Sequence, residues 1–267
     1  MTLSFTKMNG AGNDFVMIDN RSGNFALDKA WIERVCNRHR GVGADGVLLV
    51  ERGPNGLVMR YYNADGGEAE MCGNGARCFA RFAARLEGET EALSFQTGAG
   101  LVSANILSDQ VALQMSTPHS PRPPQKLMLC GNARMVSFLN TGVPHAVSMV
   151  EDVDAIDIAA EGSALRRHEA FAPAGTNANF FEVIANGALR IRTYERGVEA
   201  ETLACGTGVC AAALVHASET GWEGPVTVEV RGGDTLKVDF RREKKGSFSD
   251  VILTGPADFV FEGTISL

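Results

Sequence analysis

Cysteine and histidine are both present, but neither has the spacing of a scaffold. The six cysteines (Cys36, Cys72, Cys78, Cys130, Cys205, Cys210) include no Cys-x2-Cys pair, and the five histidines are scattered. That leaves no structural metal site to expect. Three disulfides would suit a short secreted chain, not one of 267 residues. No stretch nears the roughly 20 apolar residues that span a bilayer. The segment from Met1 to Met8 lacks the apolar core of a signal peptide. The expectation is therefore a cytoplasmic protein with reduced thiols and no membrane contact. Basic charge is also scarce: 25 Lys and Arg stand against 32 Asp and Glu, a net charge of -7. A chain with no basic patch is a poor nucleic-acid binder.

What is there is an internal repeat, the feature to seek first. Arg60-Tyr-Tyr-Asn63 leads through Glu68-Ala-Glu70 to Cys72-Gly-Asn74-Gly75 and an apolar helix. Arg192-Thr-Tyr-Glu195 leads through Glu199-Ala-Glu201 to Cys205-Gly-Thr207-Gly208 and a second one. With 45% hydrophobic residues the chain can fill two cores, and the repeat argues for two domains. Thr117-Pro-His-Ser-Pro-Arg-Pro-Pro124 breaks every periodicity and reads as the connector.

Along the chain, strands are expected at 3–8, 15–19, 47–50, 59–63, 93–97 and 110–115. A helix is expected from Asp28, its N-cap, to about His39, with Trp31, Ile32 and Val35 on one face. Helix 74–86 carries an arginine stripe (Arg77, Arg81, Arg85) that reads as a solvated or ion-paired face. In the second half, strands are expected at 126–139, after His145, after Asn177, at 189–194 and four times between 225 and 261. Residues 151–168 look helical. The helix near 207–218 is apolar nearly all round and so must be buried, with Gly221 as its C-cap. Asn177 and its apolar strand echo Asn13 and its own, which would extend the repeat.

A thiol titrating near roughly 8.5 becomes a useful acid or base when a helix N-terminus favours its thiolate. The unpaired N–H groups of a helix's first turn also bind anions. Two such helix starts can hold one carboxylate, with a thiol on either side of the carbon that bears it. One thiol removes a proton and the other returns one on the opposite face, so the carbon inverts. A single Cys-Gly-x-Gly is no more than a tight strand-to-helix turn; two matched copies point to Cys72 and Cys205 as an acid–base pair. Cys36, Cys78, Cys130 and Cys210 read as inert, mostly buried thiols. His145, after a proline, reads by itself as a structural histidine.

These residues match a family. Lys7-Met-x-Gly-x-Gly-Asn13-Asp-Phe, Gly41-Val-Gly-Ala-Asp45-Gly, Tyr62-Asn63-Ala-Asp-Gly, Cys72-Gly-Asn-Gly-Ala-Arg-Cys, Pro144-His145-Ala-Val, Thr176-Asn177-Ala-Asn, Tyr194-Glu195-Arg196-Gly and Ala204-Cys205-Gly-Thr-Gly occur in order. Together they resemble diaminopimelate epimerase from end to end. The resemblance implies an α/β (α+β) fold of two pseudo-symmetric domains, each a curved, mostly antiparallel sheet around a central helix. The domain ranges expected are 1–116, with 257–267 returning to it, and 117–256. It also implies an isomerase that interconverts LL- and meso-2,6-diaminopimelate, for lysine and peptidoglycan precursors, with no metal or organic cofactor. A homodimer is implied too.

Carried onto this chain, the resemblance makes Cys72 and Cys205 the acid–base thiols and His145 and Glu195 the residues that tune them. Gly73, Asn74, Gly206 and Thr207 correspond to donors for the reacting carboxylate. Asn13, Asn63, Asn177, Glu195 and Arg196 match substrate-binding positions. Two departures fall on such positions: Gly46, where some members carry Gln, and Val143, where many carry Asn. The rival readings are a two-cysteine racemase of the same fold acting on proline, hydroxyproline or another amino acid, an isomerase lacking the thiol pair, and a non-catalytic amino-acid-binding or redox protein.

Overall fold

Strands β1 (Thr2–Gly10) and β2 (Asn13–Asp19) join in a two-residue hairpin because Ala11 and Gly12 both take the left-handed backbone, with φ of 59° and 94°. That turn matches the twist of the strands it joins. The computed structural model describes residues 2–243 and 246–266. Met1 and Leu267, the outer limits of the expected N-terminal domain, lie outside the described residues. The chain divides into two units, Met1–Leu113 with Gly255–Leu267, and Gln114–Thr254.

In the first unit, helix α1 (Lys29–Cys36) carries the chain across to β3 (Gly46–Gly53), parallel to β2. Its N-cap is Asp28, whose carboxylate accepts from the Trp31 N–H at 2.7 Å, a cap worth about 1 kcal/mol. Trp31, Ile32 and Val35 bury against Val16, Ile18 and Leu49. The chain then turns into β4 (Gly56–Asn63) and a short β5 (Glu68–Ala69) that pairs back on it. Helix α2 (Gly73–Leu86) follows and packs on β1, β2, β3 and β4. Strand β6 (Ala92–Thr97) runs parallel to β4, and β7 (Gly100–Leu107) and β8 (Gln110–Gln114) complete a meander.

The second unit repeats this order. Strands β9 (His119–Leu129) and β10 (Asn132–Asn140) are antiparallel, and β10 pairs with β11 (Pro144–Met149). A π-helical turn at Ile158–Gly162 and a four-residue helix α3 (Ser163–Arg166) lead to β12 (Asn177–Ala185), parallel to β11. Then come β13 (Ala188–Glu195), β14 (Ala200–Thr202) and helix α4 (Gly206–Thr220). Strand β15 (Val226–Glu229) runs parallel to β13, and β16 (Thr235–Arg242) and β17 (Phe248–Pro256) follow. Helix α4 is buried almost throughout, as its apolar sequence requires, and Gly221 caps it at φ 78°. The last strand, β18 (Asp258–Ser266), pairs with β1 as β9 pairs with β10. The architecture is mixed α/β and mostly antiparallel, with one long helix packed on the strands of each unit.

Several expectations need correction. The proline-rich segment is no bare connector: residues 119–129 form β9, which among the described residues of its unit pairs only with β10 and is exposed over most of its length. Proline is tolerated on such an edge because no ladder N–H is needed on its outer side. Residues 100–107, unassigned from sequence, form β7. Residues 151–168 are helical only in the short turns from Ile158 to Arg166. Helix α1 stops at Cys36, short of His39. Cys130 is exposed in the β9–β10 turn at φ 51°.

The arginine stripe on α2 is ion-paired at Arg81 and Arg85, as expected, but at Arg77 it is neither solvated nor at the surface. Arg77 is fully buried, donating to the carbonyls of Pro256 (3.1 Å) and Gly10 (3.4 Å). Arg81 donates to the Ala257 carbonyl at 2.6 Å, and Arg85 stacks on Phe259 and pairs with Glu262. The stripe clamps the returning β18 to the helix that begins at Cys72. Among the described residues no helix is long and apolar enough to cross a membrane.

The repeat itself aligns differently from the sequence echoes. By topology, β2 corresponds to β11 and β3 to β12, since each pair is parallel and precedes an antiparallel partner. Asn177, at the start of β12, is therefore the counterpart of the β3 start at Gly46 and not of Asn13. The Glu-Ala-Glu echo also slips. Tyr62 pairs with Glu68 and Tyr194 with Glu201, so Glu68 matches Glu201, four residues before each cysteine. Both glutamates hold the repeat's arginine: Arg60–Glu68 at 3.1 Å and Arg192–Glu201 at 2.6 Å.

Candidate active site

In the first unit, β4 and β5 deliver Cys72 to the N-cap of α2 with extended backbone (φ −142°, ψ 119°). Its sulfur accepts from the Gly75 N–H at 3.4 Å. The next residues, Gly73 and Asn74, open the helix, where first-turn N–H groups lack intrahelical partners. The Asn74 carboxamide donates to Asn13 Oδ1 at 2.6 Å and accepts from Arg77 at 2.9 Å. Asn13 in turn donates to Asp45 Oδ2 at 2.8 Å.

Asp45 is paired with Arg38 at 2.8 Å, and Arg38 also grips Asp14 at 2.7 Å. Lys7 pairs with Asp14 at 2.8 Å and donates to the Gly43 carbonyl. Burial alone would raise Asp14, but hydrogen bonds from Arg38 and Lys7 outweigh it and hold the carboxyl at about 2. A charged relay thus fixes Asn13 and Asn74. Asn63 is exposed at the end of β4, opposite Gly46. A side chain at Gly46 would meet the Tyr62 carbonyl oxygen at 2.4 Å and the Tyr61 ring at 2.7 Å. No side chain, Gln included, has room there in this backbone.

In the second unit, Cys205 is the N-cap of α4 (φ −125°, ψ 103°), and no helix N–H reaches its sulfur as a cap. Its sulfur lies 3.6 Å from Thr207 Oγ1 and is hydrogen-bonded to the Glu195 carboxyl. Glu195 also accepts from Thr202 Oγ1 at 2.5 Å. Burial pushes the Glu195 carboxyl above its ordinary range, and the hydrogen bonds from Thr202 and Cys205 pull partly back. The Thr207 carbonyl accepts from the buried Thr141 hydroxyl at 2.9 Å, two residues before Val143, which is itself half-buried.

His145 is fully buried on β11, paired with Asn177 across the parallel ladder. Burial drives its pKa down to about 3, and the charge of Arg196 adds to the effect. Asn177 accepts from the Arg196 N–H at 2.8 Å and donates to the Pro144 carbonyl at 3.2 Å. It therefore fastens the start of β11 to the turn after β13. An amide nitrogen has two N–H groups, so Asn13 and Asn177 each keep one beyond these bonds. The Arg196 guanidinium donates to the Ala174 carbonyl at 3.3 Å.

Each unit therefore collects its own expected residues: Asn13, Gly46, Asn63, Cys72, Gly73 and Asn74 in one, and Val143, His145, Asn177, Glu195, Arg196, Cys205, Gly206 and Thr207 in the other. Sequence reasoning did not single out Asp45, Arg38, Thr141, Asn179, Thr193 or Thr202. Asp45, Asn179 and Thr193 lie inside motifs legible in the sequence, and Thr202 directly follows the Glu-Ala-Glu run. Arg38 and Thr141 carry no such signal.

A family model described as diaminopimelate epimerase matches residues 5–120 and 137–260. A diaminopimelate epimerase from Aquifex aeolicus is 40% identical over 278 residues, covering 99% of this chain and 98% of the relative. One from Chlorobaculum tepidum is 41% identical over 269 residues, covering 97% and 100%. Among solved structures, a phenazine biosynthesis protein of the PhzF family from Bacillus anthracis superposes with a TM-score of 0.74 at 15% identity, covering all of both chains. A hydroxyproline epimerase from Agrobacterium vitis, solved with bound trans-4-hydroxy-L-proline, superposes with a TM-score of 0.67 at 16% identity, covering 100% of this chain and 93% of that one. At such identities these two structures speak for the fold alone.

Proposed function

Since this chain belongs to the diaminopimelate epimerase family, we propose that it interconverts LL- and meso-2,6-diaminopimelate by thiolate/thiol chemistry, in the supply of lysine and of peptidoglycan precursor. The observation that carries the mechanism is the unlike surroundings of the two cysteines. Cys72 Sγ accepts a helix N–H, which favours sulfur carrying negative charge. Cys205 Sγ faces a carboxyl group, and an ionised carboxylate can only accept, so the proton of that contact sits on sulfur. One thiolate and one thiol are what the reaction needs at the outset.

The steps balance without a further reagent. Cys72 takes the α-proton, and the electron pair left on carbon spreads into the α-carboxylate. Cys205 gives its proton to the opposite face and the centre inverts. Cys72 is then the thiol and Cys205 the thiolate, the starting state for the reverse reaction. The difficult step is the build-up of charge on the carboxylate, and preorganised donors are the means to stabilise it. The first-turn N–H groups at Gly73-Asn74 and Gly206-Thr207 fill that role. The reading requires both units to serve one substrate carbon. No metal or organic cofactor has a part in it.

For the distal amino-carboxylate end, Arg196 is the charged reader, with Asn13, Asn63 and Asn177 supplying amide groups. Gly46 and Val143 offer no polar group there. A site that hydrogen-bonds a polar end discriminates strongly against substrates that lack it. A cytoplasmic homodimer completes the proposal, and sedimentation of the pure protein tests its assembly.

The deciding experiment is α-proton exchange in heavy water, with chelator present and no pyridoxal phosphate, followed by NMR. LL-diaminopimelate, L-proline and L-lysine are offered side by side. Exchange with diaminopimelate alone supports the proposal. Exchange with proline would move the protein to the racemase reading, and none with any substrate would leave a binding protein.

A further inference from the structure

The buried ring of His145 has one nitrogen engaged and one not. Asn179 Nδ2 lies 3.1 Å from His145 Nδ1, 3.0 Å from the Ala146 carbonyl oxygen and 3.4 Å from the Asn177 carbonyl oxygen. Two of these three neighbours can only accept, so the atom facing them must be the amide nitrogen and not the amide oxygen. The oxygen on the other side accepts from the Thr193 hydroxyl at 3.1 Å, which fixes the same orientation. An amide nitrogen can only donate, so His145 Nδ1 accepts. A neutral imidazole that accepts at Nδ1 carries its proton at Nε2. That Nε2 is buried and has no hydrogen-bond partner among the described residues.

The same carboxamide also touches the catalytic turn. A Cβ added to Gly208 would sit 2.4 Å from Asn179 Oδ1 and 3.4 Å from Cys205 Sγ. Glycine at the fourth place of Cys-Gly-Thr-Gly is what lets Asn179 lie against the first turn of α4. One amide thus joins the His145 ring, β13 through Thr193, and the helix that Cys205 caps.

We propose that Asn179, held by Thr193, is a positioning residue that locks His145 in its Nε2–H tautomer, so that His145 serves the reaction as a neutral hydrogen-bond donor and not as a base. Burial supports this by keeping the ring uncharged, down to about pH 3. An imidazolium would favour thiolate at any sulfur it reached and so blur the distinction between acid and base. A neutral ring that can only donate preserves it. Asn179 touches no reacting atom and acts through the ring alone.

The tautomer is read directly from long-range proton–nitrogen NMR of protein labelled with ¹⁵N-histidine, without substrate, with the His145→Gln variant assigning the signal. The expected result is a neutral ring protonated at Nε2 and unchanged from pH 8 to pH 5. A ring protonated at Nδ1, or charged at neutral pH, would overturn the proposal. In Asn179→Leu the tautomer preference should be lost and kcat should fall roughly tenfold or more, with KM changed much less. An unaltered spectrum and an unaltered kcat in that variant would equally refute it. Should Asn179→Leu not fold, Thr193→Val takes its place, with a smaller loss of kcat expected and full kcat counting against the lock. Only the kcat comparison rests on the epimerase reading. A protein inactive on diaminopimelate would sink that reading and leave the ring spectrum to decide the tautomer.

Discussion

The two units share a strand order and a cysteine-capped helix, yet they hold their cysteines in opposite chemical surroundings. At the α2 end the sulfur accepts a helix N–H, and the same turn joins a chain of carboxamides running back to Arg38 and Asp45. At the α4 end the sulfur meets the Glu195 carboxyl and the Thr207 hydroxyl, and Asn179 links the same helix turn to a neutral histidine ring. The aligned positions make the contrast sharp: Asn63 in one unit occupies the place of Glu195 in the other, and Ala69 that of Thr202. Duplication accounts for two thiols; divergence at these positions accounts for one being ready to accept a proton while the other is ready to give one.

Removing either sulfur tests this most severely. Cys72→Ala and Cys205→Ala should each lower epimerisation by about 10³-fold or more, since each removes an acid–base group outright. The contrast predicts that they differ in what remains. Cys205→Ala keeps the sulfur that accepts helix N–H and should retain more α-proton exchange, uncoupled from inversion, than Cys72→Ala. Equal residual exchange with both isomers would erase the proposed difference. Next comes Glu195→Gln, which keeps shape but replaces the acceptor for the Cys205 proton. A loss of kcat of roughly 10- to 100-fold is expected. The wild-type acid limb should lie above the ordinary carboxylate range, because burial raises Glu195, and it should vanish in the variant. A variant with the wild-type pH profile would show that Glu195 does not set the limb.

How much of this was legible in the chain depended on whether the cause was local. The caps at Asp28 and Gly221, the buried α4 and the Ala11-Gly12 hairpin follow from residue types in short windows. Cys72 and Cys205 were legible because their turn chemistry is local too. Register was not. The Asn13 and Asn177 echoes compare strands that are not counterparts, because a single asparagine before an apolar run does not say which neighbour the run will pair with. The edge strand β9 was hidden by its prolines, since only its place beside β10 shows that their missing N–H groups do no harm. Arg77 looked like surface because helical spacing put it in a charged row, while a strand almost 180 residues later covers it. Asn179 and Thr193 belong to a network whose members meet only across three strands.

A smaller effect separates the units through stability. His145 is held neutral in the folded state with a pKa of about 3, against an ordinary value of 6.5. Below pH 6.5 the unfolded chain therefore binds a proton that the folded one does not. Its contribution is complete above pH 6.5 and is lost progressively as pH falls toward 3. At pH 5.5 the loss is about 1.4 kcal/mol. Denaturant titrations of wild type and His145→Gln at pH 8 and pH 5.5 should differ by that amount in their pH dependence. The first unit has no counterpart, since β2 carries Phe15 at the position in register with Gly46, where β11 carries His145 in register with Asn177. A variant as acid-sensitive as wild type would show that the buried ring is not the group responsible.

The smallest change would make the second unit resemble the first at one atom. Thr202 stands where the first unit has Ala69, and its hydroxyl donates to Glu195 at 2.5 Å. That bond favours the ionised carboxylate, against the burial that disfavours it. Thr202→Ala removes the donor, so Glu195 should hold its proton to higher pH and the acid limb of kcat should move upward. A hydrogen bond to a charged group is worth about 1.5–3 kcal/mol, so its loss should be readable in the pH profile. The loss of kcat should be greatest at acid pH and least at alkaline pH, where the carboxyl is ionised with or without the hydroxyl. Thr202→Ser, which keeps the hydroxyl, should restore the limb. If alanine and serine behave alike, the methyl group matters and the hydroxyl does not, and the carboxyl's readiness to receive the Cys205 proton must be set by burial alone.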